Sequence, residues 1–109
     1  MKKKMNIAIV GFGNIGSYFY KYLRDNRLNL SNKTGITPNI VCLSARSKSK
    51  KRNVKIPTRL WVKNCYELTK NKNVDLIVEL IGGSDGVAKK LVFEALRNKK
   101  HVGTANKAL

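Results

Sequence analysis

The sequence has 109 residues, 42% apolar and 27% charged, which fits one globular domain with a real core and argues against a disordered chain. Lys and Arg number 23 against 6 Asp and Glu, a net charge of +17 that is compatible with nucleic acid or an anionic surface as partner. The cations are scattered over every segment, however, which reads as a solvated surface with no specific nucleic acid, and no run approaches the roughly 20 apolar residues that cross a bilayer.

The first predicted element is a strand. Ile7, Ala8, Ile9 and Val10 run straight into Gly11-x-Gly13-x-x-Gly16. The lysines before this run give it a faint likeness to a signal peptide. Gly11, Gly13 and Asn14 break the run and no small-residue cleavage site follows, so the chain is expected in the cytoplasm. A helix comes next, with Ile15, Phe19, Tyr22 and Leu23 on one face, fading near Asp25 and Asn26. Residues 27–38, with their Asn, Ser, Gly35 and Pro38, read as a loop.

Residues 39–45 form a second strand whose apolar residues are continuous, as in a parallel sheet covered on both faces. The basic run 46–52 leaves its end without apolar periodicity. Residues 57–62 predict a short third strand with Trp61 partly buried, and residues 64–71 a brief helical segment around Tyr66 and Leu68. Residues 74–81 are the most strand-like run, closed by Gly82 and Gly83. Ser84 or Asp85 can cap the following helix, whose apolar face comprises Val87, Ala88, Leu91, Val92, Ala95 and Leu96. Asn98 ends it with Lys99 and Lys100, cations that complement the helix dipole. Residues 101–104 make a last short strand, and residues 105–109 begin another helix.

Strands alternating with helices give an α/β fold, a Rossmann-type doubly wound parallel sheet, here incomplete at its C-terminal end. The expected strand order is 3-2-1-4-5, with the ligand crevice at the carboxyl ends of the strands. A strand, three glycines at this spacing and an amphipathic helix are the context of a dinucleotide fingerprint. Gly11 makes the tight turn, Gly13 admits a pyrophosphate, and Gly16 lets the helix pack closely on the strands. Free N–H groups around Asn14 and Ile15 face the phosphates, so residues 11–16, Phe12 included, form that part of the site.

The end of the second strand should read the ribose. An acid there favours NAD and an Arg accommodates the 2′-phosphate of NADP. This strand ends in Arg46, followed by Ser47 and Lys48, and no acid occurs between Asp25 and Glu67, which favours NADP and leaves NAD possible. Gly82, Gly83 and the segment from Thr104 through Asn106 to Lys107 should converge beside the nicotinamide. Lys107 at a helix start is electrostatically unfavourable, so it is either held for substrate or proton chemistry or is one more exposed lysine. Glu79 is either an inward anchor for neighbouring loops or an exposed strand end. His101 reads as structural, and Cys42 and Cys65 as reduced structural thiols. No metal-ligand spacing and no Ser/His/Asp set is present.

Three blocks together resemble a family. Residues 9–16 (IVGFGNIG), 78–83 (VELIGG) and 100–109 (KHVGTANKAL) look like the amino-terminal domain of homoserine dehydrogenase. The resemblance spans essentially the whole chain and implies NAD(P)-dependent interconversion of aspartate semialdehyde and homoserine, in threonine and methionine biosynthesis. It places Gly11, Gly13 and Gly16 at the pyrophosphate and makes Arg46 the cofactor-selecting arginine. Thr104 and Asn106 fall beside the nicotinamide, and Lys107 at the reaction centre. Gly103 stands where the family usually has a β-branched residue, and the loop after Arg46 lacks an acid often seen there. The family's substrate-binding and dimerising domain has no counterpart in residues 1–109. The expectation is therefore a dinucleotide-binding domain, inactive alone, with most oligomer contacts missing and substrate bound only if a second domain is supplied. The alternatives are a non-catalytic NADP(H)-binding module and a basic nucleic-acid binder.

Overall fold

The computed structural model describes residues 3–12, 14–45, 55–81 and 86–104, with the backbone alone at Asn14. Four strands, β1 (Lys3–Val10), β2 (Ile36–Ser44), β3 (Leu76–Glu79) and β4 (His101–Thr104), form one parallel sheet in the order β2-β1-β3-β4. Helices α1 (Asn14–Asp25), α2 (Arg27–Thr34) and α3 (Val87–Arg97) connect them, with 3-10 turns at Thr58–Leu60 and Cys65–Lys70. The parallel α/β architecture is the one expected.

The sheet is covered on both faces, which explains why Ile7 through Val10 are all apolar and all buried. Ala8, Val10, Cys42 and Ile77 face a layer made by Leu91 and Ala95 of α3 and by Leu68 and Val74. Ile7, Ile9 and Leu43 face the other layer, made by Phe12, Leu60 and Tyr20 and Leu23 of α1. One irregularity interrupts the β1–β2 pairing: Ile7 opposes Ile40 but Ala8 opposes Cys42, so Val41 is an extra residue.

Several expectations are corrected. Residues 27–34 are helical, and Gly35 ends that helix in the left-handed conformation (φ 75°), its N–H bonded to the Ser31 carbonyl. Leu28 and Leu30 are its only large apolar residues, too few to give a helical period, so Gly35 was the one stop signal present. Ser31 is buried against the sheet, within 2.7 Å of the Thr37 hydroxyl. The second strand accordingly starts at Ile36, and Pro38 lies within it, tolerated on a strand that has a full partner on one side only.

The third strand shrinks to a single bridge, Trp61 to Leu43, with the Val62 N–H donating to the Leu43 carbonyl at 2.7 Å. The bridge still lies outside β2, where the expected strand order puts it. It cannot lengthen because Thr58–Leu60 is wound as a 3-10 turn just before it. Directly after it, Asn64 caps the next turn by accepting from the Tyr66 N–H. The predicted helical segment around Tyr66 and Leu68 is that second 3-10 turn, and Leu68 is fully buried.

Both long helices present a narrower face than expected. In α1 the buried residues are Gly16, Tyr20 and Leu23, while Ile15 (67% exposed) and Tyr22 turn to solvent. Phe12 sets this rotation by inserting its ring edge-on between Tyr20 and Trp61, with centroids 6.0 and 5.8 Å away. In α3 Ala88, Leu91 and Ala95 are buried, and Val87 and Leu96 are exposed. The end of α3 is as read: Asn98 caps it, Lys99 adopts φ 62°, and the Lys100 N–H returns to the Ala95 carbonyl.

Both cysteines are free and held as thiols by their surroundings. Burial pushes Cys42 from an ordinary 9.0 up to about 11, and burial also raises Cys65, a backbone hydrogen bond partly opposing it. Below pH 9 Cys42 is protonated in both folded and unfolded chains. Between pH 9 and about 11 only the folded chain keeps the proton, so stability falls as pH rises. At ~1.4 kcal/mol per pH unit the loss is about 2–3 kcal/mol. Urea unfolding should show the stability difference between wild type and Cys42→Ala shrinking by that amount from pH 8.5 to pH 11.

Candidate functional site

The last residues of the four strands are register partners: Val10 opposes Ser44 on one side and Glu79 on the other, and Glu79 opposes Thr104. Because the strands are parallel, every connection that follows them leaves from the same edge of the sheet. That edge is where doubly wound sheets hold ligands.

Gly11 continues β1 with its N–H donating to the Ser44 carbonyl at 2.8 Å, and turns at φ 91°. A Cβ there would lie 2.8 Å from the Ile81 nitrogen and the Leu80 carbonyl carbon, so the first glycine is required by the backbone leaving β3 as well as by its own conformation. In the first turns of α1, a Cβ on Gly16 would lie 2.6 Å from the Gly11 carbonyl oxygen. Gly16 therefore packs the helix against the turn itself, a closer partner than the strands expected. Phe12 puts its ring into the core, so only its backbone can face the edge. Ile15 stands exposed over the helix start, and the first turn of α1 contains no acid that would oppose an anion. Gly13 and the Asn14 side chain lie outside the described residues.

At the neighbouring strand ends the structure resolves the two readings of Glu79. It is fully buried. One carboxyl oxygen accepts the Ile81 N–H and the other accepts the Thr104 hydroxyl, each at 2.5 Å. Thr104, itself exposed, is thereby tied to β3. This anchor is the part of the site that residue spacing left open; the only signal for it was an acid in an otherwise apolar strand run. Arg46, Ser47 and Lys48 follow β2, Gly82 and Gly83 follow β3, and Asn106 and Lys107 follow β4, all outside the described residues. His101 is exposed and starts β4, at the opposite edge of the sheet. Among the described residues no three His, Cys, Asp or Glu side chains gather as a metal would require, and no helix is long and apolar enough to cross a membrane.

The family described as homoserine dehydrogenase, NAD binding domain, matches residues 11–109. The chain belongs to that family. It is 39% identical over 107 residues to the homoserine dehydrogenase of Neisseria gonorrhoeae, covering 98% of this chain and 24% of that protein. To the homoserine dehydrogenase of Bacillus subtilis it is 34% identical with the same coverage. Among solved structures, S. aureus homoserine dehydrogenase superposes with a TM-score of 0.88 at 36% identity, over 98% of this chain and 27% of that one. The Thiobacillus denitrificans enzyme gives 0.86 at 29% identity, over 97% and 24%. The chain thus spans about a quarter of the length of the curated homoserine dehydrogenases it matches. As an NAD-binding domain of this family it is built for a nicotinamide dinucleotide.

The contacts at Gly11 distinguish a crowded glycine from a merely left-handed one. Gly11→Ala combines a positive φ with backbone collision and should cost about 2–4 kcal/mol. Gly35→Ala has a similar φ (75°) but no atom within 4 Å of the added Cβ, and should cost only about 1–2 kcal/mol. Urea midpoints of the two variants at equal m-value check the order.

Proposed function

We propose that the chain is the cofactor-binding part of a homoserine dehydrogenase, and that it holds NADP(H) in preference to NAD(H) across the in-register strand ends. The observation that carries the reading is the glycine exit from β1. Gly11 lets β1 turn against the exit of β3, and Gly16 lets α1 pack on the Gly11 carbonyl; the first amide N–H groups of a helix have no intrahelical acceptor and suit an anion. In this reading residues 11–16 cradle the pyrophosphate, Phe12 through its backbone alone. Arg46, with Ser47 and Lys48, receives the 2′-phosphate. Gly82 and Gly83 allow close approach of the nicotinamide half, Thr104 and Asn106 orient it, and Lys107 faces the reacting carbon.

The bound dinucleotide supplies the hydride chemistry for homoserine and aspartate semialdehyde. The chain's own residues bind and orient it. Positioning a second reactant against the nicotinamide can account for roughly 7–11 kcal/mol of barrier reduction. We infer that residues 1–109 alone bind cofactor in the cytoplasm without turning over substrate, because they span only about a quarter of the matched enzymes. A role in threonine and methionine biosynthesis follows from the same reading.

Calorimetry of the purified chain with NADPH and NADH tests it. NADPH should bind more tightly, and Arg46→Ala should weaken NADPH by about 1–3 kcal/mol more than NADH. Equal losses for both would remove Arg46 from the ribose. With excess homoserine and NADP⁺ the chain should show no turnover; turnover abolished by Lys107→Ala would overturn the inference of inactivity.

A further inference from the structure

The peptide unit that joins Leu80 to Ile81 carries the exit of β3. The Leu80 N–H still pairs with β1, donating to the Val10 carbonyl at 2.8 Å. The Ile81 N–H goes instead to a side chain, the Glu79 carboxyl, whose Oε2 accepts it at 2.5 Å. That carboxyl is fully buried, takes the Thr104 hydroxyl on its other oxygen, and has no cation within ion-pair distance among the described residues.

The same peptide unit is the wall against which the first glycine turns. A Cβ on Gly11 would stand 2.8 Å from the Ile81 nitrogen and the Leu80 carbonyl carbon, and 2.9 Å from the Leu80 carbonyl oxygen. The Gly11 carbonyl oxygen in turn lies 2.6 Å from the place of a Cβ on Gly16, in the first turns of α1. A peptide unit is planar, so holding its N–H also fixes where its carbonyl points. Without an acceptor on Glu79, the half-buried Ile81 N–H would have to turn towards another partner, and the Leu80 carbonyl beside Gly11 would turn with it. Contacts therefore run in sequence from the Glu79 carboxyl, through Leu80–Ile81 and Gly11, to the start of α1.

We propose that Glu79 is a positioning residue for the glycine turn: by accepting the Ile81 N–H it fixes the peptide wall behind Gly11, and with it the seat of the helix start that holds the pyrophosphate. The proposal rests on the dinucleotide reading above and adds to it a buried group behind the turn. The turn requires an acceptor oxygen at this place rather than a charge. Glu79→Gln keeps such an oxygen for the Ile81 N–H, and Glu79→Met, of similar length, does not.

The test titrates the 109-residue chain with 2′-phospho-ADP-ribose, which keeps the pyrophosphate and lacks the nicotinamide ring, and with 2′-AMP, which lacks the pyrophosphate as well. Glu79→Met should weaken 2′-phospho-ADP-ribose about five- to tenfold, the scale of one hydrogen bond, and leave 2′-AMP unchanged. Glu79→Gln should bind both ligands as the wild type does. A merely structural Glu79 would lower the melting temperature in Glu79→Met and leave the ratio of the two affinities alone. An unchanged ratio in Glu79→Met, or a loss in Glu79→Gln as large as in Glu79→Met, overturns the proposal while the dinucleotide reading stands. Amide hydrogen exchange in the wild-type chain gives a second readout that needs no variant to fold. At equal saturation 2′-phospho-ADP-ribose should slow exchange at Ile81 more strongly than 2′-AMP does, and equal slowing overturns the proposal. Failure of the wild-type chain to bind 2′-phospho-ADP-ribose overturns the dinucleotide reading and the proposal with it.

Discussion

Burying a carboxyl away from water is costly unless its oxygens are satisfied, and Glu79 is the one acidic or basic side chain fully buried among the described residues. Its cost is offset by the two hydrogen bonds that its oxygens accept, one from a backbone N–H and one from a hydroxyl. Removing either donor would leave part of that cost uncompensated, so the strand exits on both sides are held in place by the requirement to keep the carboxyl bonded. The sheet's apolar layers give the domain its stability. The arrangement of the strand exits comes from this polar constraint, with the crowded backbone at Gly11 fitted against the exit of β3.

On the other face, Phe12 plays the complementary part. It follows the first glycine directly and stacks edge-on against Tyr20 and Trp61, so the turn at the edge and the seating of α1 are one packing problem. The same contact explains why Trp61 bridges β2 although its neighbours form no strand. Ion pairs add little: the two among the described residues, Arg24–Asp25 and Arg97–Glu94, are exposed and join close neighbours in sequence. Two lysines make contacts of their own through their ammonium groups. Lys100 donates to the Asn71 carbonyl, and Lys90 lies 4.9 Å from the ring centroid of Tyr66.

The sequence made legible whatever is enforced by a continuous or periodic apolar pattern. The buried run of β1, the apolar positions of β3 and its flanks, and the existence of α1 and α3 were readable because burial on two faces leaves little room for polar residues. So was the glycine spacing, which joins the first strand to the first helix. The rotation of each helix was not readable, because it depends on tertiary partners: Phe12 for α1, and the 3-10 turn at Cys65–Lys70 for α3. Helix α2 escaped because its residues are mostly polar and its burial amounts to one serine and part of one leucine. The third strand was over-read because Trp61 and Val62 have strand-like side chains, while the capping chemistry of Asn64 ends the run after one bridge. Glu79 could be placed on its strand but not assigned, since its partner Thr104 lies 25 residues away in sequence.

The surplus of cations also has a kinetic meaning. With a net charge of +17 on 109 residues, the field around the chain extends well beyond any single lysine. A small polyanion diffusing nearby is drawn in before it touches the sheet edge, and encounter rates rise above those of a neutral protein. At about 0.15 M salt the field decays over roughly 8 Å, so most of this gain vanishes within the range of ordinary buffers. How fast an anion arrives is therefore set largely by the solvated lysines that the fold does not use.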